Sequence, residues 1–162
     1  MKNMLFAATA ALSLVACSSS NNVVMVPNTS EYSASAVALE YDGGTVEVEE
    51  GKVALLEKYL RNHLFDDGSA FAEGMNGLTI KFGFIGYEEG SQAARYLAGP
   101  IAGGAKMVIV AEFFDAEGNS LSKIQSEGTV SGGFFGGDSD SAINGAAKKI
   151  ASYAKDNFAD GE

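Results

Sequence analysis

Residues 103–137 read GGAKMVIVAEFFDAEGNSLSKIQSEGTVSGGFFGG. An apolar run is followed by an acidic turn and then by a more polar run, with glycine pairs at both ends. In residues 106–114, Met107, Ile109, Ala111 and Phe113 form one row, and Val108, Val110 and Phe114 form most of the other. A strand that is apolar on both sides is central in its sheet or covered on both faces. Asp115 opens the turn, and Gly118 stands where a longer hairpin loop needs a positive φ. Residues 121–131 return with Ile124 and Val130 on one face and Lys123, Gln125, Glu127 and Thr129 on the other. That alternation predicts a strand less buried than its partner.

Outward from this hairpin the periodicity changes twice. Residues 78–84 alternate Leu78, Ile80, Phe82 and Phe84 against Thr79, Lys81 and Gly83, a half-buried strand that can run on to Tyr87 or Glu88. In residues 50–65, Val53, Leu56, Leu60 and Leu64 recur at helical spacing, with Lys52, Glu57, Lys58 and Arg61 outside. Residues 34–41 alternate again, with Val37, Leu39 and Tyr41 on one side, and residues 42–44 make a turn. At the other end, residues 142–158 carry Ile143, Ala147, Ile150, Ala154 and Phe158 as one stripe of a second helix. The order is β-α-β-β-β-α. It predicts an α+β fold of two layers, with about four strands in a mostly antiparallel sheet and both helices on one face.

The N-terminal residues have a different logic. Lys2 precedes an apolar stretch at residues 4–15, too short to cross a bilayer, for which roughly 20 apolar residues are needed. The stretch ends in Leu14-Val15-Ala16-Cys17, which resembles the bacterial lipobox, and Cys17 is the only cysteine of the chain. The reading is a lipoprotein signal peptide at 1–16, a lipidated Cys17 with a flexible tether at 17–33, and a single periplasmic α+β domain at 34–162. Acyl chains such as palmitate on Cys17 supply the anchor, each buried CH₂ contributing about 0.8 kcal/mol. By resemblance to Gram-negative lipoproteins, Ser18 at the second position favours the outer membrane. Within the tether, residues 23–26 (VVMV) before Pro27 read equally well as a short edge strand.

Composition narrows the partners. The 162 residues include 11 Lys and Arg against 21 Asp and Glu, a net charge of −10. Nucleic-acid binding requires a basic footprint, and this chain has none in its sequence. A catalytic set is not assembled either. His63 is the only histidine, and its place in the last helical turn is explained by the helix dipole. With Cys17 acylated, no thiol is left for a Cys–His pair or a metal, so neither cofactor nor metal is expected. Residues 138–141 (DSDS) lack the length, glycine and closing glutamate of a calcium loop and read as helix caps. Residues 99–106 (GPIAGGAK) lack the Gly-Lys-Ser/Thr order of a phosphate loop.

Phe134 and Phe135, between glycine pairs, are the candidate interaction surface; the alternative is that they cover the end of the sheet or the start of the last helix. Arg95, one of two arginines, is a candidate structural anchor for a carboxylate.

Over roughly the last two-thirds of the mature chain, centred on residues 91–137, the sequence resembles an uncharacterised bacterial lipoprotein family, domain of unknown function 4410. Gly90-Ser91 with Arg95 downstream, the glycines before an apolar strand, the turn at residues 115–119, the Gly-rich exit and the terminal amphipathic helix carry the resemblance. The family implies no reaction or ligand. The expected role is therefore a non-enzymatic binding or assembly module, held to the membrane by its lipid and meeting an envelope protein partner. The alternative is an auxiliary lipoprotein of a lipid-transport or secretion complex, which an apolar groove or an unpaired sheet edge would favour.

Overall fold

The computed structural model describes residues 22–66, 68–87, 105–129 and 139–160. The elements are β1 (Asn22–Val26), β2 (Ala36–Tyr41), α1 (Glu50–Phe65), β3 (Ala72–Glu73), β4 (Leu78–Tyr87), β5 (Ala105–Phe114), β6 (Ser120–Thr129) and α2 (Ser139–Phe158). The α+β class holds, with two helices. The sheet has six strands rather than about four, in the order β1-β6-β5-β4-β2-β3.

The β5–β6 hairpin closes as its sequence requires. Gly118 adopts φ +85°, and the Asp115 N–H donates to Asn119 O at 3.0 Å. The Asp115 carboxylate accepts from the backbone N–H groups of Glu117 and Asn119 and from Asn119 Nδ2. Met107, Ile109, Ala111 and Phe113 face the core, beside Ile124 of β6 and Ile80, Phe82 and Phe84 of β4. Val108 and Val110 point the other way and are also buried, as the double apolar row of β5 predicts.

Both helices complete that one core. Leu56, Leu60 and Leu64 of α1 and Ile143, Ala147, Ile150, Ala154 and Phe158 of α2 are all buried in it. Each large aliphatic side chain so buried contributes roughly 1.5–3 kcal/mol. Phe113 lies 5.2 Å from Tyr153 and 5.3 Å from Phe158, ring centre to ring centre, which fastens α2 to the middle of the sheet. The helices meet through the small faces of α2 and through two polar links. Lys52 Nζ pairs with Asp140 at 2.9 Å, and His63 Nε2 lies 2.7 Å from Asn144 Oδ1.

Three of the five strand pairings among the described residues are antiparallel, as expected, and the details differ on three counts. The sheet is mixed: β2 runs parallel to β4 and to β3, because the helix α1 carries the chain back across the layer between them. Two strands are added at the edges. β3 has only two residues, too few to show a period. β1 pairs antiparallel with β6, so residues 23–26 take the strand alternative. The segment after β1 is also tied down: Asn28 Nδ2 donates to Asn157 O, and the Ala34 N–H donates to Phe158 O at 2.8 Å. Finally, β6 is not the more exposed strand of its hairpin. With β1 on its far side it is internal, and Gln125 and Glu127, on the face expected to be polar and open, are buried.

Candidate functional site

β1 is the feature that distinguishes the surface of this domain. It lies at the sheet edge, so the outer side of its backbone meets no strand among the described residues. Val23, Val24, Met25 and Val26 are 41–52% exposed, four consecutive apolar residues on a chain of strongly negative charge. The pairing with β6 shifts register between Val24 and Val26, which bends the strand, and Pro27 follows.

Its inner side is fixed by a relay of hydroxyls. Ser122 Oγ donates to Val26 O at 2.8 Å and lies 2.7 Å from the Tyr153 hydroxyl, which in turn donates to it. Asn22 Nδ2 donates to Lys149 O at 3.4 Å at the opposite end of the strand. Between β1 and α2 runs a groove of about 460 Å³, lined by Asn22, Gly145, Lys148, Lys149, Ser152, Tyr153 and Asp156.

The electrostatics of this groove centre on Lys149. Among the described residues neither its Nζ nor Glu127 Oε1 finds a hydrogen-bond partner, and both atoms are buried. Burial pushes the Lys149 ammonium below the usual lysine range, and the Glu127 carboxylate partly restores it. Lys148 beside it is exposed. The groove thus joins two lysines, one with its ammonium buried, an aspartate and a tyrosine, next to the exposed strand β1.

The face of the sheet turned away from the helices carries a second pattern. Glu40, Lys81, Glu112 and Lys123 stand in register on four neighbouring strands, alternating in sign. Lys81 pairs with Glu40 at 3.1 Å and Lys123 with Glu112 at 3.2 Å. Opposite charges directly across a sheet satisfy one another, so this row knits strands together.

Of the residues singled out in the sequence, Cys17, Arg95, Phe134 and Phe135 lie outside the described residues. His63 is spent on Asn144, and Asp140 on Lys52 in the first turn of α2. The other arginine, Arg61, holds Glu57 at 2.9 Å and also reaches Glu73 of β3. No group of three metal-ligating side chains occurs among the described residues, and no described helix is long and apolar enough to cross a membrane. The groove was missed in the sequence because its walls are distant in the chain; the available signal was the apolar run at residues 23–26.

No protein-family model and no curated protein matches the chain. Among solved structures it resembles PelC from Paraburkholderia phytofirmans, crystallised as a dodecamer in two forms. In space group C2, for a single-substitution variant, the TM-score is 0.52 at 12% identity, over 82% of this chain and 95% of that one. In space group P6 it is 0.51 at 12% identity, over 87% and 100%. The likeness spans nearly the whole of the PelC chain and concerns the fold.

Proposed function

We propose that this chain is a lipid-anchored envelope protein on the periplasmic face of the outer membrane that acts by binding and assembly rather than catalysis. The observation that carries this reading is the sequence Leu14-Val15-Ala16-Cys17 at the end of a short apolar stretch, five residues before the described strand β1 (Asn22–Val26). The resemblance to the lipoprotein family named above agrees with it. The dodecamers of PelC, a protein of the same fold, add self-assembly to the reading. Closed assemblies of identical chains are the common form for soluble oligomers.

Two experiments test it. Cys17→Ser abolishes acyl labelling and membrane retention; a variant still lipidated would remove the anchor. Crosslinking in intact envelopes followed by mass spectrometry recovers this chain linked to itself or to an envelope protein. A chain that stays unlinked at several crosslinker lengths would sink the assembly role. A second reading, an auxiliary lipoprotein of a lipid-transport or secretion complex, is favoured by one observation, the open edge at β1. The identity of the crosslinked partner separates the two: a lipid-transport or pore subunit supports the second reading, and this chain itself or an envelope protein of another kind supports the first.

A further inference from the structure

We propose that the exposed β1 strand and the β1–α2 groove form a face that lies against the phospholipid leaflet holding the Cys17 anchor. Val23, Val24, Met25 and Val26 enter the acyl boundary, and the exposed Lys148 turns toward the lipid phosphates. This inference rests on the lipid-anchor reading above and adds to it the orientation of the domain.

Reach is the first support. Asn22 is five residues beyond Cys17 in the sequence, and five residues extend at most about 18 Å. β1 is therefore the described element closest to the anchored residue in chain length, and it cannot be carried far from the leaflet. Chemistry is the second. An apolar strip of four residues flanking a groove with the exposed Lys148 and with Tyr153 is a composition that settles at a membrane interface, where the strip leaves water and an exposed ammonium stays at the phosphates. Charge is the third. The chain carries −10 overall, so an anionic leaflet repels most orientations, whereas in this face Lys148 offsets Asp156 and the buried Lys149 lies near Glu127, which leaves it without net charge.

An added strand from another protein chain is the competing occupant of a sheet edge. β1 is poorly made for it. The register shift between Val24 and Val26 bends the edge, and Pro27 removes the next donor, both devices that blunt strand pairing.

The test uses the full lipidated protein purified from membranes and placed on vesicles of phosphatidylethanolamine and phosphatidylglycerol. Because the Cys17 thiol is acylated, a cysteine introduced by Val24→Cys or Met25→Cys is the single site for an environment-sensitive fluorophore. Met75→Cys, at a position 87% exposed between β3 and β4, is the control. Labels at 24 and 25 are expected to shift to the blue and to be quenched by lipids brominated on their acyl chains, while the label at 75 is not. Lys148→Gln, at an exposed position, is expected to lower the docked fraction at low salt, shifting that equilibrium about fivefold. The proposal is overturned if the protein is acylated and folded but positions 24 and 25 report water as position 75 does. It is equally overturned if position 24 instead crosslinks to a second copy or to another protein without lipid quenching. Loss of acyl labelling itself would overturn the anchor reading and this one together, and mass spectrometry tells the two failures apart.

Discussion

The hydroxyls of Ser122 and Tyr153 lie 2.7 Å apart and together hold the last carbonyl of β1, that of Val26. Ser122 is fully buried on the core face of β6, and Tyr153 stands on α2. One pair of polar side chains therefore joins sheet, helix and edge strand.

Ser122→Ala leaves the Tyr153 hydroxyl and the Val26 carbonyl without their shared partner. The expected loss is about 1 kcal/mol, since both hydrogen bonds are only partly buried. Tyr153→Phe is expected to lose about 1 kcal/mol. The double variant should fall short of the sum, because the pair acts as a unit. Urea unfolding gives the energies, and hydrogen exchange at β1 shows whether that strand loosens first.

Two glycines predict opposite outcomes. A Cβ at Gly128 would stand 2.7 Å from Ala142 O and 3.1 Å from its Cβ, where α2 crosses β6. Gly128→Ala should destabilise by about 1–3 kcal/mol, since the helix must be pushed off the sheet. Gly145 lies within α2 with nothing within 4 Å of an added Cβ. Gly145→Ala should stabilise by about 0.5–1 kcal/mol through helix propensity. Thermal unfolding of the two variants reads both signs.

The hairpin turn has a pH signature. Asn119 hydrogen bonds, its side chain first, hold the Asp115 carboxyl below its ordinary value of 3.8, with the Glu117 and Gly118 backbone helping. A group with a depressed folded pKa contributes stability that is fully present above the unfolded value and lost as pH falls through the folded one. Stability should therefore decline below about pH 4, and the decline should be shallower in Asp115→Asn. Denaturant midpoints measured from pH 5 to pH 2 check this.

Lys149 gives the mirror case at high pH. Burial lowers its folded pKa below 10.5, so between that lowered value and 10.5 the unfolded chain binds the proton more tightly. The contribution of this group to stability rises with pH across that window. The difference between the native chain and Lys149→Met should shift in favour of the native chain as pH increases from 8 to 10.5. A pH-independent difference would remove the buried-lysine account.

The sequence by itself determined the α+β class, the two helices and the central hairpin. Those elements announce themselves locally: the double apolar row of residues 107–113, the turn of Asp115 with Gly118, and leucines at positions 56, 60 and 64 each meet a requirement within one turn or one pleat. Tertiary structure decided the rest. No periodicity states that β2 pairs in parallel with β4, because that pairing is set by where α1 can pack. No local signal separates residues 23–26 as tether from residues 23–26 as β1, because a short apolar run becomes a strand only when an edge such as β6 is offered to it. For the same reason Gln125 and Glu127 alternate like an exposed face yet are buried. The groove between β1 and α2 was illegible, since Asn22 and Lys149 are 127 residues apart and meet only when the sheet and the last helix close on the same core.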